Sequence, residues 1–458
     1  MLGWVVHQVD VSQAFLYGLI DRAVYMHQPP GHQDGTGRVC KLRRALYGLK
    51  QAPRIWSEHL QKTLLEAGFT QSPMDPALYS VCRDGVWLYI LDWVDDILIG
   101  SISPPLIEWF KGTLRARYKI KDLGVAEKYI GMSVYRDPAS DSLWLHQAYY
   151  CLEMLEKYGL VGRRFPDTPL PDGFVLFHPW ETLSPDGDLP LPEGVKGPVE
   201  APLPPVLVKR YQQIVGSLNY AAHCTRFDVA YAVSQLSRAS QKPRARHLEA
   251  AEHCVRYLAG TADWGLRYSG GGVPYLEAYC DASPGSSGSP GNMTGMILKV
   301  AGGPVSWSAK KQERKTTSTC DSESLATVST CHHVEHMRDL LVEFHCMQMW
   351  PTPLYNDNSA AVKLSEEPRA HHRSIHLTRT MAAVRKLAHD GVIAPLHLRT
   401  ADLPADFLTK NTVKAVFERC RVLSGLAPLP RGVSLSSPPC GSARGSVGSS
   451  SAVPAGSQ

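Results

Sequence analysis

Two adjacent carboxylates stand between apolar runs in Trp93-Val94-Asp95-Asp96-Ile97-Leu98. Val86-Trp87-Leu88-Tyr89-Ile90-Leu91 precedes them and Ile97-Leu98-Ile99 follows. Runs of that length predict strands, and Asp95-Asp96 then fall at the tip of a hairpin. Two carboxylates at one tip repel each other unless a cation sits there. Mg²⁺ suits them, because it takes one or two carboxylates plus substrate phosphates. A solvated acidic turn is the alternative for an isolated pair. Upstream, Trp4-Val5-Val6-His7-Gln8-Val9-Asp10 predicts a strand that ends near Asp10, so a third carboxylate could meet the tip.

A second acidic set lies in the C-terminal half. Leu276 to Ala282 predicts a strand ending at Asp281, and Leu354-Tyr355-Asn356-Asp357 another ending at Asp357. The helix candidate Thr319 to Ala326 carries both Asp321 and Glu323, and Leu403-Pro404-Ala405-Asp406 opens a final helix. Carboxylates at element ends, spaced along one domain, suit a two-metal hydrolase that activates a water and stabilises a departing oxygen.

The elements that must position these groups fill 458 residues, enough for two or three domains. A net charge of +5 permits a polyanion partner without demanding one. The cysteines are scattered singly with no Cys-x-x-Cys pair, which argues against zinc sites and disulfides and for a reducing compartment. No apolar run reaches membrane-spanning length, and no signal peptide precedes the first strand. Prolines crowd residues 166–207, which predicts a semi-rigid linker. Helical patterning resumes over 208–270, where Arg238, Lys242, Arg244, Arg246 and Arg256 could track a nucleic-acid backbone or form a solvated face. Residues 428–458 are rich in Pro, Ser and Gly and predict a disordered tail.

Several motifs in order carry a family resemblance. They are Gln8-Val9-Asp10-Val11, Val24-Tyr25-Met26-His27-Gln28-Pro29-Pro30-Gly31, Leu46 to Trp56, Trp93 to Ile97, and Lys121-Asp122-Leu123-Gly124. Together they closely resemble the reverse transcriptase of copia-type LTR retrotransposons. Tyr279-Cys280-Asp281-Ala282, Asp357-Asn358 and Pro404-Ala405-Asp406-Phe407-Leu408-Thr409-Lys410 resemble the ribonuclease H domain that follows it. The likeness runs from about Trp4 to Lys410.

The resemblance implies an α/β (α+β) chain. Residues 1–165 would be a right-hand polymerase palm and the start of a thumb, and 208–270 a helical thumb or connection. Residues 274–415 would be a ribonuclease H-like domain with a mixed five-stranded sheet. It implies two Mg²⁺ per active site, with Mn²⁺ as the substitute. The ligands would be Asp10, Asp95 and Asp96 in one site, and Asp281, Glu323, Asp357 and Asp406 in the other, with Asp321 competing for the helix position. Phe15 matches the aromatic that closes under the incoming sugar, its alternative being a core aromatic. Gln51 matches the glutamine that contacts the nucleotide sugar, while Lys50 and Arg54 would face template or primer. The strand holding Trp307 would lie near the hybrid. Implied partners are an RNA template, a DNA primer, the RNA–DNA hybrid, deoxynucleoside triphosphates and the integrase of the same polyprotein. The implied place is a cytoplasmic virus-like particle, with the nucleus as a second.

This chain also departs from the family pattern. Trp93 replaces the usual tyrosine, and Asp92 stands where an apolar residue is usual. The fingers region that would precede Asp10 is missing, as expected of a truncated element, a misplaced gene start or a processed piece. The rival reading is a relic, its polymerase inactive, that only binds or cleaves RNA–DNA hybrids. His371-His372-Arg373-Ser374-Ile375-His376 is read as contacting phosphate or packing locally, and His397 as a strand residue.

Overall fold

The computed structural model describes residues 3–177, 201–270, 274–285, 291–314, 316, 318–366 and 380–433. The chain is a mixed α/β protein, with three larger sheets and one two-stranded ribbon among the described residues. The first sheet carries the Asp10 and Asp95-Asp96 segments. Its strands are β1 (Val5–Val11), β4 (Thr70–Gln71), β5 (Leu78–Arg83), β6 (Val86–Trp93), β7 (Asp96–Ser101) and β8 (Ile120–Val125). They lie in the order β4-β5-β6-β7-β1-β8, and β2 (Tyr25–His27) and β3 (Val39–Lys41) form the separate ribbon.

Helices α1 (Ala52–Glu66) and α2 (Pro104–Arg115) cover this sheet. The buried residues of α1 recur at helical spacing: Ala52, Ile55, Trp56, Leu60, Thr63 and Leu64. They meet the alternate strand residues Val9, Val11, Leu88, Ile90, Ile97 and Ile99. Helix α2 starts with a cap, the Ser103 hydroxyl accepting from Leu106 N–H, followed by proline. It buries Lys111, whose ammonium is paired with Glu108 and Asp122 and touches His7 Nδ1.

A second sheet gathers chain from far apart: β9 (Lys128–Tyr129), β10 (Met132–Asp137), β11 (Ser142–His146), β12 (Trp264–Ser269) and, as its last edge, a strand at Leu426–Pro428. Helices α3 (Ala148–Lys157), α4 (Pro205–Cys224), α5 (Ala230–Ser237) and α6 (Ala245–Gly260) pack on it. The expected linker is only partly a spacer, because Leu170 and Leu176 are each 2% exposed and belong to this core. Residues 178–200 lie outside the described residues. The expected tail begins later than Pro428, because Leu426–Pro428 pairs with β12 and Leu429 N–H donates to Asp263 O. Residues 434–458 lie outside the described residues, as does the His371 to His376 segment.

The third sheet is mixed and five-stranded. Its order is β15-β14-β13-β16-β17, from β13 (Leu276–Ser283), β14 (Met293–Val300), β15 (Gly303–Lys311), β16 (Thr352–Asn356) and β17 (Ile393–His397). β13, β14 and β15 pair antiparallel, whereas β16 runs parallel to both β13 and β17. Helix α7 (Thr319–Glu343) lies against β13 and β14, with α8 (Ser359–Glu366) and α9 (Ala382–His389) beside it, whereas α10 (Lys414–Leu423) puts Phe417 and Cys420 into the helical core with Leu426. Trp307 on β15 stacks on Phe227 at 5.0 Å and donates to Ala222 O, so its indole joins this sheet to the helices.

The helical part is pinned by one buried ion pair. Arg226 and Asp228 have fully buried side chains and make two parallel bonds of 3.0 and 2.7 Å. Tyr257 also donates to Asp228, at 2.6 Å, and Arg421 donates to Tyr257, at 3.0 Å. Burial alone would raise the Asp228 carboxyl, and the Arg226 charge more than reverses it. Removing one partner strands the other charge in the core. Asp228→Ala is therefore expected to lower stability by about 3–5 kcal/mol, read as a drop in the urea midpoint at unchanged slope.

Candidate active sites: two carboxylate groups

Asp10 and Asp96 face each other in register across β1 and β7. Trp93 pairs with Asp96, so Val94 and Asp95 alone form the turn between β6 and β7. Val11 N–H donates to Asp95 O at 2.7 Å, which sews the turn to β1. Gln8 Nε2 donates to Asp96 Oδ1 at 3.1 Å and orients that carboxylate. Burial raises the Asp10 carboxyl, and the negative charges of Asp95 and Asp96 raise it further, while Lys121 opposes them. Lys121 is the cross-strand partner of Asp10 on β8. Asp96 is raised by burial and by Asp95, against the Gln8 bond.

Two residues here escaped the sequence reading as site members. Tyr47 lies beside Asp95 and Asp10, where burial and then their charges oppose its ionisation, and its ring tilts against Phe15 at 4.5 Å. Tyr129 is 7% exposed, and its hydroxyl has no partner among the described residues. Burial, then Asp96 and Asp92, oppose its ionisation. Phe15 sits in the core under the first sheet. Gln51 stands at the start of α1 without a side-chain cap bond, Lys50 is exposed, and Arg54 is engaged by Asp21 and Glu58. Three arginines of the expected basic cluster also have protein acceptors: Arg238 on Gln235, Arg246 on Leu176 O, and Arg256 on Arg164 O.

The second group is tighter. Carboxylate oxygens of Asp281, Glu323 and Asp357 lie within 4.8 Å of one another, the one such cluster among the described residues. β13 delivers Asp281 but runs on to Ser283 because β14 keeps pairing with it, so the strand does not end at Asp281 as expected; β16 ends one residue before Asp357, and α7 supplies Glu323. Glu323, and not Asp321, is the helix acid that joins the cluster. Asp321 is buried at the α7 start, its N–H held by the Ser318 hydroxyl at 3.1 Å.

Each member has a partner that aims it. Asn356 Nδ2 donates to Glu323 Oε2 at 3.0 Å, Thr400 Oγ1 donates to Asp357 Oδ2 at 2.7 Å, and Thr409 Oγ1 donates to Asp281 Oδ2. His397, at the end of β17, reaches the Asp357 carbonyl at 3.0 Å. Asp406 starts a 3₁₀ turn (Asp406–Leu408) instead of a final helix, is paired with Lys410, and adds to the negative field on Asp281. That turn presses on Gly295, the cross-strand partner of Asp281. A Cβ there would come within 2.8 Å of Leu408 Cβ and Thr409 Cγ2, so only glycine lets the turn approach.

Burial, then neighbouring carboxylates, push Asp281 up to about 7, against the Thr409 bond. Burial and Asp281 push Glu323 up to about 8. Desolvated carboxylates in one cluster need protons or a cation, and hard oxygen donors suit Mg²⁺ or Mn²⁺. The residues therefore fit divalent metal at this group; the oxygens of Asp10, Asp95 and Asp96 do not all come within 4.8 Å of one another, though their charges still oppose.

Residues 1–171 match the family model described as reverse transcriptase (RNA-dependent DNA polymerase). The chain is 34% identical over 432 residues to the retrovirus-related Pol polyprotein from transposon RE1 of Arabidopsis thaliana, covering 93% of this chain and 28% of that protein. It is 34% identical over 306 residues to a transposon Ty5-1 protein of Saccharomyces cerevisiae, covering 66% of this chain and 92% of that one. A solved foamy viral protease-reverse transcriptase in complex with RNA/DNA hybrid aligns with 89% of this chain and 45% of its own, at 14% identity and a TM-score of 0.44.

The raised carboxyls make a signed prediction. A folded-state pKa above the unfolded one contributes stability below the unfolded value, and that stability is lost as pH rises through the folded value. For Asp281 the window runs from its ordinary value of 3.8 up to about 7. In chelator at pH 8, Asp281→Asn is expected to melt a few degrees above wild type, a gap that narrows toward pH 4. Mg²⁺ should raise the wild-type melting temperature and move the variant less.

Proposed function

We propose a function from one premise: the chain belongs to the reverse transcriptase family of copia-type retrotransposon Pol polyproteins. It is a nucleic-acid enzyme. Its N-terminal sheet serves as the palm of an RNA-directed DNA polymerase, and its C-terminal mixed sheet as a ribonuclease H that degrades the RNA strand of the hybrid. The observation that carries this reading is the convergence of Asp281, Glu323 and Asp357 within 4.8 Å. The chain spans 28% of the RE1 polyprotein's length, and the partners are those of a Pol piece: RNA template, DNA primer and deoxynucleoside triphosphates. No helix among the described residues is long and apolar enough to cross a membrane.

Asp281, Glu323, Asp357 and Asp406 would hold metal at the hydrolytic site, and Asp10, Asp95 and Asp96 at the polymerising one. When bound, the cations would supply a clamp on the attacking and leaving oxygens of an in-line displacement. The chain's own residues set the geometry. Asn356, Thr400 and Thr409 each fix one carboxylate of the hydrolytic group. Lys410 offsets the charge of Asp406. In the first group, Gln8 turns Asp96 toward the β1 side and Tyr47 lies beside Asp95. A second reading, cleavage without polymerisation, is favoured by one observation: the cluster within 4.8 Å comprises only the second group's acids.

The test is incubation of the purified chain with Mg²⁺ and a labelled RNA–DNA hybrid, beside a primer-extension assay. Asp281→Asn is expected to cut cleavage by a factor on the order of 100 or more while leaving extension. Asp95→Asn should do the reverse. Unchanged cleavage in Asp281→Asn would remove that residue from the site.

A further inference from the structure

The acidic hairpin has an unusual hinge. Val94 sits at φ 61°, while Asp95 has no positive φ, so the two-residue turn follows the pattern in which glycine normally takes the first place. A β-branched side chain is a genuine outlier there, since its branch crowds the backbone. Such a conformation persists only where its surroundings hold it.

Both polar groups of the Val94 residue face a partner. Its N–H lies toward the Asp92 carboxylate, two residues back on β6, and favours its ionised form. Its carbonyl accepts from the Trp56 indole N–H, which comes from α1. Trp56 is 1% exposed, so its nitrogen has no water to turn to. Its ring is fixed edge-on against Tyr118 at 5.3 Å. Asp92 is itself partly buried and anchored through its own N–H to Ala77 O at 3.0 Å. The next peptide carbonyl, of Asp95, is held by Val11. Hence the aspartate that departs from the family pattern acts on the hinge.

We propose that Asp92 and Trp56 are positioning residues: they lock Val94 in the left-handed region and so set where the Asp95 and Asp96 carboxylates point. The functional side of this inference rests on the polymerase reading of Asp10, Asp95 and Asp96. The lock itself does not.

Three substitutions separate the lock from packing. Trp56→Phe keeps a ring but removes the donor. Asp92→Ala removes the acceptor, whereas Asp92→Asn retains an oxygen that can accept from Val94. Val94→Gly removes the steric reason for a lock. The full chain carrying Asp281→Asn and Glu323→Gln, so that one acidic group dominates, is titrated with Mn²⁺ alone and followed by electron paramagnetic resonance. Amide hydrogen exchange at Val94 is measured in parallel without metal.

Trp56→Phe and Asp92→Ala are each expected to weaken Mn²⁺ binding by about 10-fold or more, the usual cost of losing an outer-shell partner. Asp92→Asn should stay within about 3-fold of the parent on the same scale. Asp92→Ala should also lose Val94 amide protection. Adding Val94→Gly to Trp56→Phe or Asp92→Ala should restore most of the affinity. Trp56→Phe and Asp92→Ala variants that fold, keep Val94 protection and bind Mn²⁺ as the parent does would overturn the lock. So would a Val94→Gly background in which Asp92→Ala still costs its full factor. If Asp92→Ala does not fold, the Trp56→Phe pair with and without Val94→Gly decides the matter. A parent that binds no Mn²⁺ would sink the metal reading of this group, and the exchange data would still decide the lock.

Discussion

Carboxylates that must meet repel one another, and more strongly once burial has taken their water away. That constraint shapes both ends of this chain. At Asp281 and Glu323 the cost is visible as carboxyls pushed up to about 7 and about 8. The scaffold bears it with a central strand, β13, flanked on one side by an antiparallel and on the other by a parallel neighbour. The parallel pairing of Tyr279 with Tyr355 carries the two chains on side by side, so Asp281, inside β13, comes beside Asp357, one residue past β16. Helix α7 then needs only the right rotation to add Glu323. Neutral donors, Asn356, Thr400 and Thr409, hold the aim without cancelling the charge that a cation would need.

The first group solves the same problem by other means. An antiparallel arrangement of β6, β7 and β1 brings Asp10 opposite Asp96, and a two-residue turn carries Asp95. The turn is strained at Val94, and the strain is borne by residues that come from elsewhere: Trp56 on α1 and Val11 on β1. The group is looser than its C-terminal counterpart. Tyr47, with its side exposed to solvent, reaches in to Asp95.

Between the two sites, the helices and the second sheet act as a shared frame. The core that includes α3 to α6 also contains Ile297, Phe407, Leu408 and Leu426 from the C-terminal part. The buried Arg226–Asp228 pair and Tyr257 tie α6 to α10 through Arg421. At the far side, Trp4, just before β1, and Tyr89 on β6 meet Phe344, just past the end of α7, with ring centroids 6.0 and 5.2 Å apart. The two acidic groups are thus held in one packed body, and the proline-rich segment contributes Leu170 and Leu176 to it.

Much of this was legible from local pattern. Alternation and apolar runs located the strands, and a carboxylate in or near the last residues of a strand or in its turn is a local fact, so Asp10, Asp95, Asp96, Asp281 and Asp357 could be named from the sequence. What depends on register or on rotation could not. Asp321 and Glu323 sit two residues apart on one helix, and only the packing of α7 on β13 decides which faces Asp281. The roles of Gln8, Tyr47, Asn356, Thr400 and Thr409 arise from contacts across long stretches of chain, which no periodicity encodes. Asp406 lies in a 3₁₀ turn because Gly295 leaves room for one, and Leu426–Pro428 is a strand because β12 offers an open edge. The sequence by itself determined which acids stand at the ends of elements, since turn and strand chemistry act over a few residues. Only the tertiary structure decided which of them meet, because convergence of like charges needs partners brought from distant chain to hold them.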